Sequence, residues 1–176
     1  MDMNNMAMSQ PNWQQKLTVK KGNLGEEIIS RFLERKGYVI YSPETKGKAH
    51  AFDRLAIKDK EQIIIAEIKT KARRNKYADT GIDKRNYDQY IKIQNKYNIP
   101  VFIFFVDEML KKVYGNWLSK LIIPIIIEGK QYPLILNNII YFPLVNMINI
   151  AELSEQQITE LKKLSNRNYE YIEITK

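Results

Sequence analysis

Ile63-Ile64-Ile65-Ala66-Glu67-Ile68-Lys69 puts two opposite charges at the end of a run that is otherwise apolar. Period-two alternation along a strand sets Glu67 and Lys69 on one face and Ile68 on the other. A run as apolar as Ile63 to Ala66 reads as an interior strand, where an unpaired carboxylate or ammonium is costly. Upstream lies Asp53, across an expected hairpin of Phe52 to Ile57 and Gln62 to Thr70 around Lys58-Asp59-Lys60. A divalent cation held jointly by Asp53 and Glu67 would reward the burial, since hard cations prefer carboxylate oxygen.

Before the hairpin, Leu24, Ile28, Ile29, Phe32 and Leu33 recur at helical spacing, and the pattern predicts a first helix from Gly22 to Gly37. Glu26 falls at the edge of that apolar arc, and Glu27 points away from it. Tyr38 to Tyr41 reads as a short strand, and Ser42 to Ala49 as a polar loop. After the hairpin, Lys71 to Arg85 is basic, lacks periodicity and contains Gly81, so a loop is expected. Asn86 to Asn98 reads as a helix, stopped by Pro100, and Val101 to Val106 as another interior strand. The order helix, strand, strand, strand, helix, strand implies a mixed α/β core.

Beyond Asp107 the pattern turns to short strands. Lys112 to Leu118 is one, and Leu121 to Ile127 with Gln131 to Ile135 forms a hairpin across Glu128-Gly129-Lys130. Tyr141 to Ile150 is apolar but interrupted by Pro143. Ser154 with Gln157 forms a capping-box pattern at the start of a short helix, with Leu161 and Leu164 on its buried side. The expected organisation is a flexible leader over residues 1–15, a core over 16–110, and a C-terminal β-rich extension over 111–176 packed on the same domain.

Composition narrows the chemistry. The 28 Lys and Arg against 20 Asp and Glu give a formal charge of +8, which favours polyanions and membrane surfaces alike. Without cysteine there are no disulfides, zinc ribbons, iron–sulfur clusters or thiol catalysis, in keeping with a reducing cytoplasm. With a single histidine, His50, a multi-histidine metal site is impossible. Whatever chemistry occurs falls to carboxylates and lysine. The longest apolar stretch, Leu121 to Ile127, is far short of the ~20 residues of a spanning helix, so no membrane partner is expected.

These residues resemble the PD-(D/E)xK nuclease superfamily, with its restriction-endonuclease-like fold, and especially the archaeal-type Holliday junction resolvases and related phage endonucleases. The resemblance spans about Lys21 to Asp107. It rests on Gly22-Asn23-Leu24-Gly25-Glu26 in the first helix, Phe52-Asp53 at the start of one strand, Glu67-Ile68-Lys69 at the end of the next, and the helix and strand that follow. Phe52 departs from the proline of the motif's name. The resemblance implies a metal-dependent DNA endonuclease, with Asp53 and Glu67 holding Mg²⁺ (Mn²⁺ substituting) and Lys69 orienting or polarising the attacking water. Glu26 would support the metal through water or a second ion. It also implies a homodimer, because cutting both strands takes two active sites, and branched DNA as one candidate substrate.

The charge surplus fits that expectation. Lys46, Lys48, His50, Lys71, Arg73, Arg74, Lys76, Lys84 and Arg85 cluster around the site in sequence and are the candidate nucleic-acid contacts. Each feature also has a plainer reading. Glu67 and Lys69 could form a surface pair on an edge strand, and Asp53 could bond a local amide. Glu26 could merely favour the first helical turn, and His50 could be a surface histidine. Tyr87, Tyr90 and Gln94 share a helix face that more often means packing. Two rival functions stand beside the nuclease: an inactive nucleic-acid-binding subunit of the same fold, and a basic protein-interaction module using Leu121 to Ile150.

Overall fold

The computed structural model describes residues 15–43, 51–59 and 62–165. The chain opens with helix α1 (Leu17–Arg35), then strands β1 (Val39–Tyr41), β2 (Arg54–Lys58), β3 (Gln62–Thr70) and β4 (Asp79–Asp83). Helix α2 (Lys84–Tyr97) leads into β5 (Val101–Asp107) and β6 (Lys112–Trp117), followed by the single turn α3 (Leu118–Leu121). Next come β7 (Ile125–Ile127), β8 (Lys130–Tyr132), β9 (Leu134–Leu136), β10 (Ile139–Pro143), β11 (Ile148–Glu152) and α4 (Glu155–Lys163).

The main sheet has six strands in the order β1-β2-β3-β5-β6-β11. Its central pair, β3 and β5, is parallel, from Ile65↔Val101 to Thr70↔Val106, and its other neighbours are antiparallel. The parallel join is made by the crossover through β4 and α2, as a parallel pair requires. A smaller sheet, β4-β10-β9, and the hairpin β7-β8 complete the strands.

Every residue of β5 is buried, because both faces of the sheet are covered. Phe102, Phe104 and Val106 face one way, into a core with Ile64, Ala66 and Ile68 of β3, Ile28, Ile29 and Leu33 of α1, and Ile158 and Leu161 of α4. Val101, Ile103 and Phe105 face the other way, toward Ile65, Tyr90 of α2, Leu118 and Leu121 of α3, and Ile82, Ile140 and Phe142 of the small sheet. Each such aliphatic or phenylalanine side chain contributes about 1.5–3 kcal/mol when taken out of water. The fold is α/β, a mixed sheet flanked by helices, with β6 and β11 added to that sheet by residues after position 110.

Most expected elements are present, with differences that have physical causes. Helix α1 begins at Leu17, five residues before Gly22, and ends as expected before Gly37, whose φ of +88° suits glycine. Helix α2 starts at Lys84 and stops where Asn98 turns left-handed, two residues before Pro100. The stretch from Lys71 to Arg85 is not a continuous loop, for it contains β4. That strand is short and polar, and its partner β10 lies far along the chain, so no local pattern announces it. Gly81, the apparent loop signal, is there because a Cβ would come within 2.3 Å of the Ile140 carbonyl oxygen. The expected strand from Leu121 shrinks to β7, since α3 takes Leu121 and Pro124 follows. The capping box at Ser154 is complete: its hydroxyl accepts from the Gln157 amide, and the Gln157 side chain accepts from the Ser154 amide.

Helix α1 crosses the end of β3 at Gly25, where a Cβ would stand 1.8 Å from Thr70 Oγ1. Helix propensity alone makes Gly25→Ala stabilising by about 1 kcal/mol. The clash should reverse that sign, destabilising by about 1–3 kcal/mol in urea denaturation. Pairing it with Thr70→Ala should recover most of the loss, and a stabilised single variant would contradict the close approach.

Candidate active site

Strands β2 and β3 run antiparallel with Arg54 opposite Ala66, so one step further Asp53 stands across from Glu67. Residues opposite each other share a face, which brings together two carboxylates fourteen positions apart in sequence. Asp53 Oδ2 is pinned by the amide of Ile68, which donates to it at 2.7 Å. Phe52, at the motif's proline position, packs on the second core beside Leu55 and Tyr87.

Glu67 is 0 % exposed, and neither carboxylate oxygen accepts a hydrogen bond of good geometry. Lys69 Nζ forms an ion pair with Glu67 Oε1 from the same face of β3. Burial pushes the Glu67 carboxyl up to about 7, with Asp53 adding to the rise, while Lys69 and the nearby Tyr90 hydroxyl pull it down. Burial works to lower Lys69, but Glu67, Asp53 and Asp83 outweigh it and hold the ammonium above its ordinary value. Burial and then Glu67 keep the Tyr90 phenol protonated.

Glu26 approaches from α1. Burial and the Asp53 charge raise its carboxyl above the usual range, against the pull of Arg54. Arg54 Nη1 contacts Glu26 Oε2 at 2.8 Å and donates to the Asp53 carbonyl at 2.8 Å, while its Nε donates to Ser30 Oγ at 3.2 Å. Arg54 therefore ties α1 to the start of β2. Alternation along β2 sets Arg54 on the face opposite Asp53, and no local pattern marks which face meets α1.

Among the described residues, no three His, Asp or Glu side chains form a ready-made cation cage. The donor set suits magnesium all the same, because that ion is commonly held by one or two carboxylates with waters and substrate phosphate. Buried Glu67, with two oxygens lacking hydrogen bonds and Asp53 opposite, is such a pair.

The candidate phosphate contacts fall into groups. Lys46, Lys48 and His50 lie outside the described residues. Arg73 is buried, with Nη1 donating to the carbonyls of Arg74, Asn75 and Tyr77, so it shapes its loop from within. Arg74 makes a two-pronged ion pair with buried Asp79. Lys84 pairs with Asp88 one helical turn away at 2.5 Å. Lys76 and Arg85 are exposed, and Lys71 is half-buried. A further buried carboxylate, Asp107, braces this region: it accepts from the amides of Arg73, Met109 and Leu110 at 2.9 Å each.

The architecture is similar to that of Hjc, a Holliday junction resolvase from the archaeal hyperthermophile Archaeoglobus fulgidus. The superposition gives a TM-score of 0.51 over 71% of this chain and 90% of that one, at 9% sequence identity. This chain has a restriction-endonuclease-like fold. No protein-family model and no curated protein matches the sequence. Also, among the described residues, no helix is long and apolar enough to cross a membrane.

The Glu67 environment has a measurable consequence in the metal-free protein. Its carboxyl rises from 4.5 to about 7 on folding, so the folded chain holds that proton more tightly. The resulting stability is full below pH 4.5 and is lost as pH rises through 7. Between pH 5 and pH 8 the loss amounts to about 2–3 kcal/mol. Urea denaturation should show wild type losing that much more than Glu67→Gln over the interval; equal losses would contradict the assignment.

Proposed function

We propose that this protein is a divalent-metal-dependent endonuclease acting on DNA. The observation that carries the reading is the buried Glu67 carboxylate, short of hydrogen bonds, set across from Asp53 and beside Lys69. Desolvating a carboxylate pair is costly unless a cation joins it. The fold supports the reading, since the similar structure is that of a Holliday junction resolvase.

In this proposal Asp53 and Glu67 hold Mg²⁺, with Mn²⁺ able to replace it, and Glu26 supports the site through water. A bound Mg²⁺ acts as a Lewis acid on the scissile phosphate and lowers the pKa of an attacking water. The chain's own groups do the rest. Lys69, kept charged by its acidic neighbours, orients the water and offsets charge building on the phosphate. The Ile68 amide holds the Asp53 carboxylate in place, and Arg54 keeps Glu26 near it. Tyr90, neutral and buried under Glu67, limits the directions that carboxylate can take.

Residues 16–110 form the catalytic core in this reading, and 111–176 an extension of the same domain. Branched DNA is the substrate we favour, and a homodimer would present two sites for two strands. In this reading Lys71, Lys76 and Arg85 meet phosphates, and His50, Lys46 and Lys48 join them by sequence position.

The test is cleavage of plasmid and of four-way-junction DNA with Mg²⁺ or Mn²⁺. Asp53→Asn, Glu67→Gln and Lys69→Ala should each lower the rate by about 100-fold or more. Glu26→Gln, acting through the site's support, should cost about 10-fold. Intact DNA after incubation with a wild-type protein that still binds it would instead identify an inactive binding subunit.

A further inference from the structure

Past the end of β3 lies a cleft of about 770 Å³ that takes in Lys71 and Lys76 but none of the site carboxylates. It opens at Thr70, the residue after Lys69, and is walled by the start of α1, the loop after β3, β4 with β10, and the chain following α4. Five cationic side chains line it, Lys21, Lys71, Arg73, Arg74 and Lys76, and among the described residues no carboxylate does. From this cleft, resting on the nuclease reading, we infer a subsite for single-stranded DNA: the unpaired continuation of the strand whose phosphate sits at Asp53 and Glu67.

Three features point to a strand rather than to a duplex face. The first is rigidity of the charge. Lys21 Nζ is anchored on fully buried Glu108 at 2.5 Å, Arg74 on buried Asp79, and Arg73 on three backbone carbonyls. Cations braced from behind face the cleft with little ordering left to do, which favours binding a flexible partner. The second is an orphaned donor. Thr80 is 1% exposed and lines the cleft, yet its hydroxyl has no hydrogen-bond partner, and Thr70 Oγ1 is likewise without one. An oxygen entering the cleft satisfies a group that is otherwise costly to bury.

The third feature is aromatic. The Arg74 guanidinium is sandwiched between rings, 3.9 Å from the Tyr141 centroid and 4.3 Å from that of Tyr77. Tyr77 is 42% exposed, and its ring also carries the Lys130 ammonium 4.6 Å from the centroid, so a base that stacks there displaces Lys130. A basic groove that tracks phosphates beside aromatic rings that take bases is the general design of single-strand binding. A duplex presents its bases already stacked and its phosphates on a stiff convex surface, so it cannot follow a cleft walled on several sides. The cleft includes Thr70 at the end of β3, whose side chain turns toward Gly25 of α1, on the face opposite Lys69.

The experiment is fluorescence anisotropy of the full chain with a labelled oligothymidylate and with a duplex of equal length, in EDTA. Chelation removes cleavage from the measurement, so binding here and cutting in the nuclease assay can fail separately. The single strand should bind more tightly than the duplex. Tyr77→Ala should weaken single-strand binding by roughly 5- to 100-fold. Lys76→Ala, at an exposed position, should lower the slope of log affinity against log salt by about one. Equal affinity for the two DNA forms, or single-strand binding untouched by both substitutions, overturns the inference.

Discussion

Parallel pairing of β3 with β5, covered on both faces, is the constraint from which the remaining arrangement follows. A parallel pair cannot be closed by a tight turn, so the chain must leave the sheet after Thr70 and return at Val101. That excursion carries β4 and α2, which cover one face, while α1 and α4 cover the other. Because the strand is buried on both sides, any charged residue at its carboxyl end is stripped of water. Glu67 and Lys69 sit at that place, and their unusual electrostatics are a consequence of sheet architecture rather than of a separately built pocket.

How far this could be read from the amino acids depends on the range of the interaction. The Ile63 to Ala66 run, the apolar helical arc of α1 and the Ser154–Gln157 cap are written within a few residues, and each appears as expected. The relation between Asp53 and Glu67 was legible too, because a hairpin register carries it. Strand β4 was not, since its only reason to be extended is a partner far downstream. The burial of Arg73 and the ties of Arg54 escaped notice for a similar reason: a charged residue in a basic stretch gives no local sign that it faces inward. Lys46, Lys48 and His50 lie beyond the described residues, and their part in the site remains an expectation from sequence.

The formal surplus of +8 is therefore distributed with a purpose that composition conceals. Acidic side chains collect where the start of β2 meets the end of β3, and are only partly offset by Arg54 and Lys69. A few residues on, the balance reverses: Arg74 of the loop after β3 and Lys21 of α1 stand before counterions, Asp79 and Glu108, that are buried behind them. Such a division sets an attractive field for a polyanion next to the place where a cation would be held. Each half makes the other less costly, because phosphate brought by the basic side helps to balance a metal held by the acidic one.

Membership of β6 and β11 in the main sheet bears on the order in which the protein acquires its shape during synthesis. Every side chain of the proposed catalytic group has emerged once Lys69 has been made, and β5 follows soon after. Yet β6 keeps an unpaired edge until Ile148–Glu152 arrives to close it, and α4 comes later still to cover Phe104 and Val106. A nascent chain on the ribosome thus holds its working residues well before it can shield the sheet that supports them. For that interval the exposed β6 edge is open to strangers, and β11 with α4 serves as its chaperone.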